Sequence, residues 1–152
     1  MEDEDMKVIS LLQPWATLWL LDIKRFATRS WQTRYRGLLL VHASKRKDRA
    51  GFTLWYQLAC RPRDWSLPAW DELPFGSIIG KVHLIDCVPT EHLINSTECW
   101  VSGLERMLGD FSPGRFAWYK TDPVQFATPI PARGRLGLWE YNGPLPEGKG
   151  EG

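Results

Sequence analysis

Apolar positions along the chain fall into short clusters with two different periods. Val8 and Ile9 place a first strand in residues 7–11. Gln13-Pro14-Trp15 opens a helix, because the fixed φ of proline suits the first helical position. Trp15, Leu18 and Trp19 then recur at helical spacing and are expected to face inward. Residues 26–29 read as a short strand, Arg36-Gly37 as a turn and residues 38–42 as a second apolar strand. Over residues 49–60, Phe52, Trp55, Tyr56 and Ala59 stand at i, i+3, i+4 and i+7, which predicts a helix. Pro62, Pro68 and Pro74 break residues 61–74 into a loop that carries Trp65 and Trp70.

The strongest strand pattern is residues 77–88, with Ile78, Ile79, Val82, Leu84, Ile85 and Val88. Gly80 inside it marks a bulge or a close backbone approach. Residues 100–108 predict a modest helix, and Phe111-Ser112-Pro113-Gly114 a turn. Residues 115–120, 124–128 and 138–141 read as short strands. Short strands with few helices and many turns predict an α+β domain, a curled or closed antiparallel β-barrel with flanking helices. The expected division is an acidic tail over residues 1–6, one domain over residues 7–142 and a loose Gly/Pro/Glu tail over residues 143–152. No internal repeat is visible.

Composition narrows the class. A chain of 152 residues is the size of one domain, and 43% hydrophobic residues is too many for a disordered one. No apolar run approaches the ~20 residues of a membrane helix. The opening Met1-Glu2-Asp3-Glu4-Asp5 has neither the basic nor the apolar region of a signal peptide. A cytoplasmic protein without a membrane partner is expected. Cys60, Cys87 and Cys99 are odd in number and lack CxxC spacing, which suits a reducing compartment. Three scattered Cys and three scattered His make a poor zinc set, so no metal is expected. Neither a Rossmann nor a phosphate-loop glycine motif is present, and no cofactor is expected.

Net charge is only +1, but it is unevenly spread. The 26 residues from Lys24 to Arg49 hold nine basic side chains and one acid, Asp48, for a charge of +8; the remainder therefore carries −7. Such a patch either attracts phosphate or is simply a solvated face. Nine tryptophans supply both core and candidate stacking surfaces.

Ser10, Gln13-Pro14-Trp15-Ala16, Lys24, Arg29, Ser30-Trp31, Thr33, Tyr35-Arg36-Gly37 and His42-Ala43-Ser44-Lys45 form an ordered series. It resembles the ASCH (activating signal cointegrator homology) family, which has a PUA-like fold. Gly76-Ser77-Ile78-Ile79-Gly80, leading into Asp86-Cys87, resembles the family's central strand, and residues 109–118 and 134–139 resemble its bacterial stand-alone members. The likeness covers about nine-tenths of the chain. Two departures stand out. Asp22 occupies a position where the family usually has glycine, and Ala27 one where it has glutamate. Members that hydrolyse acetylated cytidine carry threonine there, and that threonine, the motif lysine and a separate acid are implicated in amide cleavage. Ala27 and Arg29 should share a strand face, with Thr28 turned away.

Lys24 and Arg29 are the leading cleft candidates, a mobile cation and a planar fork for phosphate or a base edge. Lys24 is also the candidate catalytic residue if the chain is an enzyme. Trp31 and Tyr35 either stack on a base or pack on the barrel. Trp15 more naturally packs inward, and Gln13 either contacts a ligand or caps the helix. His42, Ser44 and Lys45 end a buried strand, where polar groups reach a cleft; His42 is more often a satisfied structural residue than a functional one, and Lys45 belongs either to a solvated basic run or to a grip on a nucleic-acid backbone. Ser112 and Arg115 belong to a tight turn whose N–H groups can face an anion, and Arg133 and Arg135 extend the basic rim. Glu140, Asp110 and Asp86 are candidate general bases without a partner nearby in sequence.

Three functions compete. The leading one is binding of single-stranded RNA or a nucleotide or nucleoside in a basic, aromatic-edged cleft. A hydrolase acting on RNA or acetylated cytidine is implied by the resemblance and is impaired by the methyl side chain of Ala27, since an acid–base group contributes roughly 10²–10⁴-fold. A protein-interaction adaptor, with a protein partner docking on Trp65 and Trp70, is the third.

Overall fold

The computed structural model describes residues 5–60, 67–94 and 101–150. Pro62, Trp65, Cys99 and the Trp100 end of the predicted helix lie outside the described residues. Among the described residues six strands form one sheet in the order β2-β5-β4-β3-β1-β6. They are β1 (Met6–Leu11), β2 (Phe26–Arg29), β3 (Gly37–Ala43), β4 (Ser77–Pro89), β5 (Phe116–Pro131) and β6 (Leu138–Tyr141). Among the described residues four α-helices accompany them: α1 (Trp15–Leu20), α2 (Arg49–Ala59), α3 (Thr90–Ile94) and α4 (Gly103–Leu108). The α+β class and most predicted elements therefore agree with the structure, while α3 has no counterpart in the sequence reading.

The sheet is neither closed nor wholly antiparallel. β1 leaves through α1 and β2, and β3 returns beside it in parallel, Val8 opposite Leu40 and Ile9 opposite Val41. The other pairings are antiparallel. β2 and β6 are the two edges. Closure into a barrel would need β2 free to accept a further strand. Its flank is instead occupied by side chains: Glu105 accepts from the backbone N–H groups of Arg25 and Phe26, and Arg115 donates to the Thr28 carbonyl.

The predicted strands 115–120 and 124–128 are one continuous strand, β5, which takes Asp122 through a positive φ of 54° without leaving the sheet. Its register against β4 shifts at three places, including Ile78/Gly80. Gly80 fulfils both halves of its reading. A Cβ there would lie 2.7 Å from Leu20 Cδ1 and closer still to the Val124 carbonyl oxygen. The bare backbone lets α1 rest directly on the sheet.

Strand alternation divides the core. On one face Ile9, Leu39, Val41, Val82, Leu84 and Trp118 pack with Trp19 and Leu20 of α1. On the other, Val8, Leu40, Ile78, Phe126 and Trp139 pack together. A third cluster ties Leu18 of α1 to Trp55 and Leu58 of α2 and to Leu108 of α4. Asp48 caps α2 by accepting from the Ala50 N–H at 3.2 Å. The helix buries Gly51, Trp55 and Leu58 and leaves Phe52 and Tyr56 exposed, so its inner stripe lies one position away from the aromatic pattern. Trp70 packs edge-on against Phe52, ring centroids 5.5 Å apart. The tail read as loose runs back along β5 through residue 150: Ala127 N–H donates to the Glu147 carbonyl, and Gly148 bridges Phe126. No helix among the described residues is long and apolar enough to cross a membrane.

Candidate functional site

Two cavities meet at Arg29. The smaller, a cleft of about 340 Å³, lies between the end of β1, the start of α1, β2 and the turn after α4. Leu11, Leu12, Trp15, Met107 and Leu108 give it apolar walls, and Lys24, Thr28, Arg29, Asp110 and Arg115 its polar ones, with Ala27 between them. The larger, a groove of about 960 Å³, shares Leu11, Leu12 and Arg29 with the cleft. It continues past Ser10, His42, Ser44, Lys45 and Arg46 to the 132–137 loop. Arg29, Lys45, Arg46, Arg133 and Arg135 all line it, and its described lining contains no Asp or Glu.

Lys24 is the most unusual side chain of the cleft. It is 3% exposed, and its Nζ has no hydrogen-bond partner among the described residues. Glu105, equally buried, stands 3.8 Å away, an ion-pair distance too long for a hydrogen bond. Burial lowers the Lys24 pKa from 10.5 to about 8; Glu105 resists that shift, while Arg115 and Lys120 add to it. Glu105 cannot swing closer without loss, because its two oxygens hold the N–H groups of Arg25 at 2.7 Å and Phe26 at 3.2 Å. Gly109 completes the pocket: a Cβ there would come within 2.7 Å of the Lys24 amine.

Arg29 is half-buried and has no carboxylate partner among the described residues. Burial and the nearby Arg115 both lower its pKa. At position 27 the side chain is a methyl, 3% exposed and opposite Trp118, so β2 carries no acid of its own. Thr28 does not turn away from the cleft. It lines the wall, and its Oγ1 accepts from the Asp110 N–H at 3.1 Å. As an edge strand, β2 exposes both neighbours to one cavity that wraps around it. Arg115 donates to the Thr28 carbonyl at 3.1 Å, while its Nε lies 3.3 Å from the Asp110 carboxylate without aligning for a hydrogen bond.

The remaining sequence candidates divide. Trp15 is half-buried and lines the cleft. His42, Ser44 and Lys45 line the groove, as do Arg133 and Arg135. His42 is 1% exposed, with Nε2 against the Ala132 carbonyl at 2.8 Å. That contact places the ring proton on Nε2, and burial keeps the imidazole neutral by lowering its pKa. Gln13 acts inside the fold. Its Oε1 accepts from the Thr17 N–H, and its amide donates to the Pro74 carbonyl. Trp31 packs edge-to-face on Trp118 at 4.8 Å, with the Arg29 guanidinium 5.8 Å from its ring centre. The Tyr35 hydroxyl donates to the Leu38 carbonyl. Neither ring lines either cavity, because both pack against the core instead. Ser112 sits beside the cleft and donates its hydroxyl and N–H to Asp110, holding that carboxyl below its ordinary pKa.

Of the candidate bases, only Asp110 borders the cleft. Asp86 pairs with Arg36 and Glu140 with Lys7, both at the surface. Glu105 is the acid the sequence reading missed. Its signal was Ser102-x-x-Glu105, the spacing of a capping box. Ser102 does accept from the Glu105 N–H, but the carboxylate reaches across to β2 rather than back to its own helix. No group of three or more metal-ligating side chains occurs among the described residues.

No family model matches the chain. Among curated proteins it is 26% identical over 148 residues to activating signal cointegrator 1 of Homo sapiens, and equally to that of Mus musculus. Each match covers 95% of this chain but 24% of the relative, so the chain spans about a quarter of their length. Among solved structures, a crystal structure of a point-mutant ZmASCH protein from Zymomonas mobilis overlays with a TM-score of 0.49 at 16% identity, covering 84% of this chain and 76% of that one. The likeness to the cointegrators runs almost end to end along this chain, and Trp15, Lys24 and Arg29 of the ASCH-like motif line one cleft, which together support an ASCH domain here.

Proposed function

We propose that the protein binds single-stranded RNA, or a nucleotide, along the groove and cleft that join at Arg29. One observation carries this reading: five cations line a 960 Å³ groove whose described lining has no carboxylate. A groove of that charge balance suits a polyanion, and phosphate contacts supply affinity through counterion release. The aromatic contribution rests on Trp15, since Trp31 and Tyr35 pack inward. The test is fluorescence anisotropy of a labelled single-stranded oligonucleotide across a salt series. Binding should weaken with salt and fall further in Arg29→Ala and in Lys45→Ala/Arg46→Ala. Affinity indifferent to salt or to both variants overturns the reading.

A second reading, hydrolysis of RNA or of acetylated cytidine, draws on the Lys24–Glu105 pair. A buried lysine with a lowered pKa beside an acid is an arrangement found at catalytic centres. The side chain at position 27 bears no oxygen, so this chemistry should be weak in the chain as it stands. Ala27→Thr is expected to raise turnover of acetylated cytidine; no product from either protein removes this alternative.

A further inference from the structure

We propose that Lys24 is a nucleophile that forms an imine with a sugar-phosphate aldehyde seated in the 340 Å³ cleft. The proposal deepens the anion-binding reading, since the same cations would hold the ligand.

Three features converge on an electrophile. Lys24 lines the cleft, and its buried amine donates no hydrogen bond among the described residues. A buried structural lysine normally spends its donors on carbonyls or carboxylates, because an unsatisfied ammonium is costly. Gly109, which would place a Cβ 2.7 Å from Nζ, keeps clear the space beside it. Glu105 is fixed by two backbone N–H groups at a distance suited to proton exchange once the amine shifts toward it, not to a permanent salt link. The depressed pKa makes the free amine accessible near neutral pH.

The rest of the cleft selects what carries the electrophile. Arg29 and Arg115 both line it, and Arg115 lowers the pKa of Arg29 and of Lys24 alike, so an anion at that spot relieves mutual repulsion. Phosphate is the anion that a guanidinium fork matches best. A volume of about 340 Å³ lies at the small end of ligand pockets, suiting a sugar phosphate that has lost its base or never had one. Leu11 and Leu12 give the cleft an apolar wall beside the seated ligand.

The chemistry balances without an oxidant or cofactor. The Lys24 ammonium gives a proton to Glu105. The amine then adds to the carbonyl carbon, the C=O electron pair moves to oxygen, and the nitrogen proton follows it to give a carbinolamine. Glu105 returns its proton to that hydroxyl, the C–O bond breaks and water leaves. The products are a protonated imine and the original carboxylate.

Two sources supply such an aldehyde: an abasic site in a nucleic acid strand, or a free sugar such as ribose 5-phosphate. The full chain is incubated with a labelled abasic oligonucleotide, an intact oligonucleotide of the same sequence, or ribose 5-phosphate, each with borohydride to reduce the imine to a stable amine. Adducts are read on denaturing gels and by intact mass, and the modified residue by peptide mapping. The expected result is one adduct, on Lys24, with the abasic strand or with ribose 5-phosphate and none with the intact strand; whichever aldehyde reacts identifies the source. Lys24→Arg, which keeps the charge, should abolish it. Mapping in the unaltered protein stands even if that variant fails to fold. An adduct spread over surface lysines, or none with either aldehyde, overturns the proposal. Anisotropy with the intact strand runs in parallel: binding without an adduct overturns the nucleophile and spares the groove, whereas an adduct without binding does the reverse.

Discussion

At the scale of single residues, the two departures from the family pattern have different physical consequences. Asp22 adopts a φ of 61°, the left-handed region where glycine carries no steric penalty. Its carboxylate pairs with the amine of Lys120, whose own side chain is buried. The ion pair offsets a strain of roughly 1 kcal/mol. Asp22→Gly should therefore relieve strain but orphan Lys120, while Asp22→Ala does only the second and should unfold at lower denaturant than the glycine variant. Equal midpoints would remove the strain term. Ala27, in contrast, leaves Arg29 without a carboxylate on its own strand. Lys24 imposes a pH signature. Its pKa is lower folded, at about 8, than unfolded, near 10.5, so between those values the unfolded chain binds more protons. The Lys24 contribution to stability must rise as pH increases from about 8 to 10.5, because the folded protein no longer holds a desolvated charge. Urea melts across that window should show a gain in the wild type that Lys24→Met lacks.

At the scale of elements, close approaches hold the site's parts together. A Cβ on Gly51 of α2 would lie 2.7 Å from Pro14 Cδ and 2.9 Å from the Gln13 carbonyl oxygen, and 3.3 Å from the Trp15 ring. α2 thus clamps the start of α1, which supplies one wall of the cleft. Gly51→Val should cost roughly 1–3 kcal/mol, as over-packing does, and should also weaken oligonucleotide binding by displacing Trp15. A thermal shift without any change in binding would separate the clamp from the site. Helix α4 makes the second connection. Ser102 caps it, Glu105 crosses to β2, and the following Gly109 and Asp110 turn over Lys24 and Thr28. Leu108 anchors the helix in the core beside Leu18 and Trp55.

At the scale of the whole molecule, the +8 segment does not act as one patch. Arg36 turns to Asp86, and Arg25 lies over Phe26 and Tyr119. Lys45 and Arg46 join Arg133 and Arg135 from a loop nearly ninety residues later in the chain. The salt slope of oligonucleotide binding should accordingly shrink by about 0.7 for each phosphate contact removed, in Arg133→Ala/Arg135→Ala but not in Arg36→Ala. An equal loss in both would mean diffuse attraction by the basic segment instead of a groove. Most strands, α1, α2 and the role of Gly80 were legible in the sequence alone, since periodicity and local sterics act over a few residues. So was the family motif around Lys24 and Arg29. Tertiary structure alone decided the rest. The sheet stays open because Glu105 and Arg115 occupy the flank of β2, and strand patterns carry no record of such a side-chain cap. Trp31 and Tyr35 turn inward because Trp118 and Leu38 offer them better partners than water does. Above all, Glu105 meets Lys24 across a separation of some eighty residues, and only folding sets that acid beside the lysine.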